Sequence, residues 1–243
     1  MEASSQLEHF DEELLCEPYR VGIHTQDPIE PVIDPRQMSK LVYEEALKSF
    51  EMGKRVCLLG GDHSVSIGAI QAAHQVHGRL NLVQFDAHLD LRDSYQGSTH
   101  SHACTMRRVW DMVNPIQIGI RSFSKEEFEF LRSQAKPPIS AGQIHSDPQG
   151  SLEEMKARLQ PDLPTYVTLD LDCLDPSIMP AVGTPEPGGL LWYQILSFLR
   201  EITTWSNVVG FDCVELAPIP GMNFPEFTAA RLVYKVIGYC HHG

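Results

Sequence analysis

The sequence contains no apolar run near the roughly 20 residues that a membrane span requires, so no membrane partner is expected. Residues 1–15 (MEASSQLEHFDEELL) lack the basic start and apolar stretch of a secretory signal. Basic residues are few: 19 Lys and Arg stand against 32 Asp and Glu, a net charge of −13. A surface of that sign repels phosphate backbones, which argues against nucleic acid and mildly favours a small cationic partner. The six cysteines (Cys16, Cys57, Cys104, Cys173, Cys213, Cys240) include no C-x-x-C pair. They read as reduced thiols of a cytoplasmic protein, neither a disulfide framework nor a thiolate metal site. Internal repeats, low-complexity tracts and Gly/Ser linkers are also missing. With 243 residues and 42% hydrophobic content, one domain over residues 1–243 is the expectation.

What is present alternates between two kinds of segment. Val56–Leu59, Leu80–Phe85, Ile116–Ile120, Tyr166–Leu169 and Val208–Phe211 are short apolar runs without polar alternation, as in strands buried on both faces. Between them Met38, Leu41, Val42, Ala46 and Phe50 recur at helical spacing, with Asp34 as N-cap and Pro35 at the first helical position. Ser124 with Glu127, and Ser151 with Glu154, fit capping boxes opening two further helices, and Glu226–Tyr239 reads as a C-terminal helix. The order predicts an α/β fold: a mainly parallel sheet covered by helices on both sides, in three layers.

Ionisable residues follow directly on three of the strands. Leu80–Phe85 leads into Asp86, His88 and Asp90; Tyr166–Leu169 into Asp170 and Asp172; Val56–Leu59 into Asp62 and His63. Parallel α/β sheets gather ligands at the carboxyl ends of their strands. Alternate residues of extended backbone share a face, so each cluster can aim its members at one point. Carboxylates and imidazoles crowded together need compensating charge, which a divalent metal supplies. Nitrogen and oxygen ligands without thiolate suit manganese or a similar first-row ion. Asp62 reads as a residue that orients a neighbour, and Asp175, before Pro176, as a turn former.

Four motifs, GGDHS at 60–64, FDAHLDLRD at 85–93, DLDCLDP at 170–176 and DCVELAP at 212–218, resemble those of the ureohydrolases: arginase, agmatinase, guanidinobutyrase and formimidoylglutamase. The likeness runs from about Leu7 to the last helix. It is greatest to agmatinases, through DLRDSYQGSTHSHACTMRR at 90–108 and QIGIRSFSKEE at 117–127. The resemblance implies an arginase-like α/β/α fold with two Mn²⁺ per chain, His63 and Asp90 on one ion, His88 and Asp172 on the other, and Asp86 and Asp170 bridging. It implies catalytic roles for His102 as proton shuttle (with neighbouring His100 able to take the same part), for Glu215 as the grip on the guanidinium, and for Asp90 as proton acceptor. The implied reaction converts agmatine to putrescine and urea, in a homo-oligomer, trimer or hexamer. The alternatives are another guanidino substrate (arginine, guanidinobutyrate or guanidine) or a non-catalytic relative.

Family members carry a further first strand before the point corresponding to Met1, inside the sheet. Its absence predicts a slot in the sheet beside Val56–Leu59 and a marginal fold, unless Tyr19–His24 moves inward to pair there.

Overall fold

A computed structural model describes residues 2–242. Asp34 and Pro35 open its first long helix. The Asp34 carboxylate accepts the N–H groups of Arg36 (2.9 Å) and Gln37 (3.1 Å), while Pro35 occupies a position that needs no donor. Helix α1 spans Pro35–Glu51, strand β1 Val56–Leu59 and helix α2 Val65–His77. There follow β2 (Leu80–Phe85), α3 (Thr105–Val109), β3 (Val113–Ile120), α4 (Lys125–Gln134), β4 (Ile139–Ser140), α5 (Ala141–Ser146) and α6 (Pro148–Arg158). The chain closes with β5 (Thr165–Asp170), α7 (Trp192–Trp205), β6 (Val208–Val214) and α8 (Phe224–His242). The six strands form one parallel sheet in the order β1-β6-β5-β2-β3-β4. One core lies between the sheet and α5–α8, the other between the sheet and α1–α3, so the three layers expected from the sequence are present.

β2, β3, β5 and β6 are buried along their whole length, which explains why they lack polar alternation. β1 departs from that expectation. It is an edge strand paired only with β6, its residues alternate in exposure, and Leu59 is 51% exposed. Among the described residues the sheet has no internal slot, and the side of β1 away from β6 is one of its two open edges. Tyr19–His24 does not fill it. Pro18–Val21 instead form a 3₁₀ turn, and Tyr234 of α8 donates to His9 O (2.6 Å) nearby. The same N-terminal segment is tied to α8 by Lys235, almost fully buried, whose ammonium meets Asp11 (2.9 Å), Glu13 (3.2 Å) and Glu12 (3.3 Å).

Two helix and strand starts also differ. Ser151 does not cap a helix: α6 begins three residues earlier at Pro148, with Asp147 Oδ1 accepting Gly150 N–H (2.9 Å) and the Ser151 hydroxyl turned back onto Asp147 O (2.8 Å). Asp-Pro at N-cap and N1 is the stronger start signal. β3 begins at Val113 and passes through Pro115; β4 pairs only near Ile118 and Ile120, so the missing N–H interrupts no ladder on that side. The Ser124–Glu127 capping box is present.

α1 and α2 approach so closely that a Cβ on Gly68 would sit 2.0 Å from Ser39 O and 2.8 Å from Tyr43 N. α2 is the helix that follows the Gly60–Ser64 loop, so its seating against α1 also sets the position of that loop.

Candidate metal centre

Strand register places a row of polar side chains across the sheet. Gln117, Gln84, Thr168 and Asp212 are neighbours on β3, β2, β5 and β6, one to three residues before the carboxyl ends. All four are buried. Gln117 Nε2 donates to Gln84 Oε1 (2.5 Å), Gln84 Nε2 to Asp86 Oδ2 (2.6 Å), and Thr168 Oγ1 to Asp212 Oδ1 (2.7 Å). Two residues further along each strand stand Asp86 and Asp170, on the same face. Buried polar groups need such partners, and this row supplies them under the ionisable cluster.

The Gly60–Ser64 loop brings His63 over that row. Its Nδ1 lies 3.2 Å from Asp86 Oδ2, 3.0 Å from Asp90 Oδ2 and 3.2 Å from Asp170 Oδ2. His88 Nδ1 lies 2.9 Å from Asp172 Oδ2 and 3.5 Å from Asp86 Oδ1. Two sets of donor atoms, His63–Asp86–Asp90 and Asp86–His88–Asp172, each fall within 4.8 Å, with Asp86 common to both. Asp170 faces His63, and its Oδ1 accepts Asp172 N–H (2.9 Å). The backbone is also tied down: His88 N–H donates to Asp86 Oδ1 (2.6 Å), Ala87 N–H to Asp172 Oδ1 (2.9 Å), and Leu91 N–H to the buried Glu127 (3.1 Å). Glu127 therefore caps α4 and tethers the loop just after Asp90.

So many carboxylates cannot all ionise in a low-dielectric interior. Burial, with Asp172 and Asp86 alongside, pushes Asp170 far above the usual range, and burial with Asp86 pushes Asp90 to about 7. Asp172 rises for the same reasons. Asp86 alone falls, because His63 and His88 outweigh its burial. Both imidazoles rise although burial opposes it: His88 to about 11 beside Asp172 and Asp86, and His63 among Asp170, Asp86 and Asp90. His63 Nδ1 is buried without a hydrogen bond, facing three carboxylate oxygens. That geometry, with nitrogen and oxygen donors only, fits first-row divalent ions.

Glu215 and His102 stand at the rim. Glu215 follows β6; its Oε1 accepts His63 N–H (2.7 Å), its own N–H donates to Gly61 O (2.7 Å), and burial raises its pKa. A Cβ on Gly183 would come 4.0 Å from Glu215 Oε2, so the 180–189 loop runs beside that oxygen. His102 Nδ1 pairs with Asp62 Oδ2 (3.0 Å), and its ring meets Tyr95 edge-on at 5.6 Å. This pair holds Asp62 down at about 2, against its burial, and raises His102. His100 faces elsewhere, toward Thr99, and its pKa is lowered by burial and by Arg36 and Arg108. Asp175 closes a turn by accepting from Ser177, Gly188 and Gly189 N–H. Asp90 (φ 54°) and Glu215 (φ 65°) have left-handed backbone, a conformation that glutamate rarely adopts and aspartate tolerates better.

Sequence reasoning missed several supporting residues. Gln84 and Thr168 each stand two before an aspartate in a mainly apolar strand, a signal that was available. Arg121 was not legible: its guanidinium donates to the carbonyls of Asp172 (2.8 Å), Glu186 (2.7 Å), Pro187 (3.1 Å) and Gly119 (3.2 Å), joining β3 to both sides of the 172–190 loop.

Comparison with known proteins agrees with this arrangement. The family model described as the Arginase family matches residues 1–238. An N(1)-aminopropylagmatine ureohydrolase from a Synechocystis species is 38% identical over 98% of this chain and 80% of its own length. An agmatinase from Pyrococcus horikoshii is 33% identical over 89% and 71%. The crystal structure of the agmatine ureohydrolase of Thermoplasma volcanium superposes with a TM-score of 0.88 at 29% identity, covering 99% of this chain and 81% of that one.

Proposed function

Because the chain belongs to the arginase family of ureohydrolases, we propose that it hydrolyses the guanidinium group of an amine-bearing guanidino compound, agmatine or its N(1)-aminopropyl derivative, to urea and an amine. One observation carries the reading: His63 Nδ1 lies within 3.2 Å of three buried carboxylate oxygens, on a loop whose backbone is held by Glu215. His63, Asp86, Asp90 and Asp170 would hold one manganese ion, and His88 and Asp172 with Asp86 and Asp170 the other. When bound, such ions supply Lewis acidity that activates water toward an unreactive, resonance-stabilised carbon.

The chain's own residues do the rest. Glu215 Oε2, free of the His63 contact, accepts N–H groups of the planar cation and orients its carbon. Asp90 accepts a proton from the attacking water. His102, held by Asp62, delivers a proton to the departing amine at the rim. Two relatives named for N(1)-aminopropylagmatine, at 38% and 40% identity, put that substrate ahead of agmatine, which the motifs alone suggest. The test is urea release by Mn²⁺-loaded protein from N(1)-aminopropylagmatine, agmatine, arginine, guanidinobutyrate and guanidine. The first two should lead. No urea from any of them would establish a non-catalytic relative.

A further inference from the structure

The row beneath the cluster contains a chain of hydrogen bonds with a fixed direction. Leu169 N–H, which can only donate, points to Asp212 Oδ1 at 3.3 Å, so that oxygen is an acceptor. Thr168 Oγ1, 2.7 Å from the same oxygen, must then give its proton to it. With its proton committed, the Thr168 hydroxyl can only accept from the other side, where His63 Nε2 lies at 2.9 Å. His63 therefore carries a hydrogen on Nε2, which leaves Nδ1, facing the carboxylates, as the nitrogen available to a metal ion. Thr168, Asp212 and His63 are all buried, and the hydroxyls of Tyr166 and Ser66 lie beside Asp212, so no solvent competes for these bonds. His88 has no comparable support: its side chain is 26% exposed, and among the described residues its Nε2 meets no hydrogen-bond partner.

We propose that Thr168 and Asp212 are positioning residues that fix the tautomer and ring orientation of His63, and so set the affinity of the His63–Asp86–Asp90 site for its ion independently of the Asp86–His88–Asp172 site. The inference rests on the metal reading above but goes beyond it, because it separates the two sites by what stands behind each imidazole. Partners of this kind typically change metal affinity by about 10–100-fold.

The test is Mn²⁺ titration of the whole chain, freed of metal, followed by calorimetry and by metal analysis after gel filtration. The unmodified protein should take up two ions. Thr168→Val, nearly isosteric, should weaken one binding step about 10–100-fold and leave the other within about twofold. Thr168→Ser, which keeps the hydroxyl, should restore it. Asp212→Asn provides the second arm: its carboxamide oxygen can still accept, but more weakly than a carboxylate, so an intermediate loss at the same step is expected. Circular dichroism melts of each variant separate a lost fold from a lost ion. Equal weakening of both steps, unchanged affinity in Thr168→Val, or failure of Thr168→Ser to restore binding would overturn the relay while leaving the metal reading intact. If the unmodified protein binds no Mn²⁺, the metal reading fails, and the relay with it.

Discussion

Gly68 offers a quantitative test of how the site is seated. A methyl group there would lie 2.0 Å from Ser39 O and 2.8 Å from Tyr43 N, both backbone atoms, so no rotamer change relieves the contact. Bringing the nearer contact to about 3 Å, the lower limit for real Cβ atoms, requires α1 and α2 to separate by roughly 1 Å. Those helices share the core built from Val42, Ala46 and Phe50 with Ile67, Ala69 and Ile70, and none of these can follow without opening a gap. Overpacking of this kind costs about 1–3 kcal/mol, opposed by about 1 kcal/mol of helix propensity gained from Gly to Ala. A net loss of up to about 2 kcal/mol should lower Tm by as much as roughly 8 °C in a chain of this size. Differential scanning calorimetry of Gly68→Ala reads this directly. Gly142→Ala is the control, since a methyl there meets nothing within 4 Å, and its Tm should be unchanged or higher. The packing account is refuted if Gly68→Ala behaves like Gly142→Ala.

Chelation should abolish urea release and lower Tm, and Mn²⁺ should restore both; full activity in metal-free protein would contradict the two-ion reading. Glu215→Gln keeps the contact to His63 N–H while removing the charge that faces a cationic substrate, so kcat/KM should fall about 100-fold with Mn²⁺ content unchanged, as steady-state assays and metal analysis would show. Asp62→Asn removes the main cause that raises His102, so the limb of the kcat–pH profile governed by His102 should move to lower pH; an unmoved limb would detach His102 from the proton transfer. Asp11 is held below its ordinary pKa because the Leu14 and Glu13 N–H groups and Lys235 outweigh its burial. A lowered folded-state value means stability that is present above about pH 4 and lost as pH falls further. Urea melts should therefore show the gap between unmodified protein and Asp11→Asn narrowing as pH falls below about 4, and a gap that does not narrow would refute the assignment.

The strands and their polar ends were legible because apolar runs that stop at charged residues are a local pattern; the convergence expected from period-2 alternation is reached by other backbone, since Asp90 is left-handed and Asp172 lies in a 3₁₀ turn. The polar row was only half legible. Gln84 and Thr168 stand out inside apolar strands, but their alignment with Asp212 and Gln117 depends on which strands become neighbours and in what register, and no local pattern encodes that. The exposure of β1 is hidden for the same reason, since Val56–Leu59 has the composition of an interior strand and its place at the edge is decided by tertiary pairing. Ser151 misled because a good cap motif lost to a better one at Asp147, four residues upstream. Arg121 satisfies its guanidinium with main-chain carbonyls, whose positions exist only once the 172–190 loop has folded.

The left-handed backbone at Asp90 and Glu215 has an evolutionary consequence. Such conformations cost on the order of 1 kcal/mol or more for most side chains and little for glycine or asparagine. Selection for heat resistance alone would drift toward those residues at positions 90 and 215, and the proteins it enriched would melt later and hydrolyse nothing. Survivors of a screen for turnover would keep the disfavoured backbone and recover stability elsewhere, in helix surfaces and loops remote from the sheet's carboxyl edge. In this chain the two pressures pull in opposite directions at identifiable residues, so deep mutational scans for folding and for catalysis should disagree most sharply at these two positions.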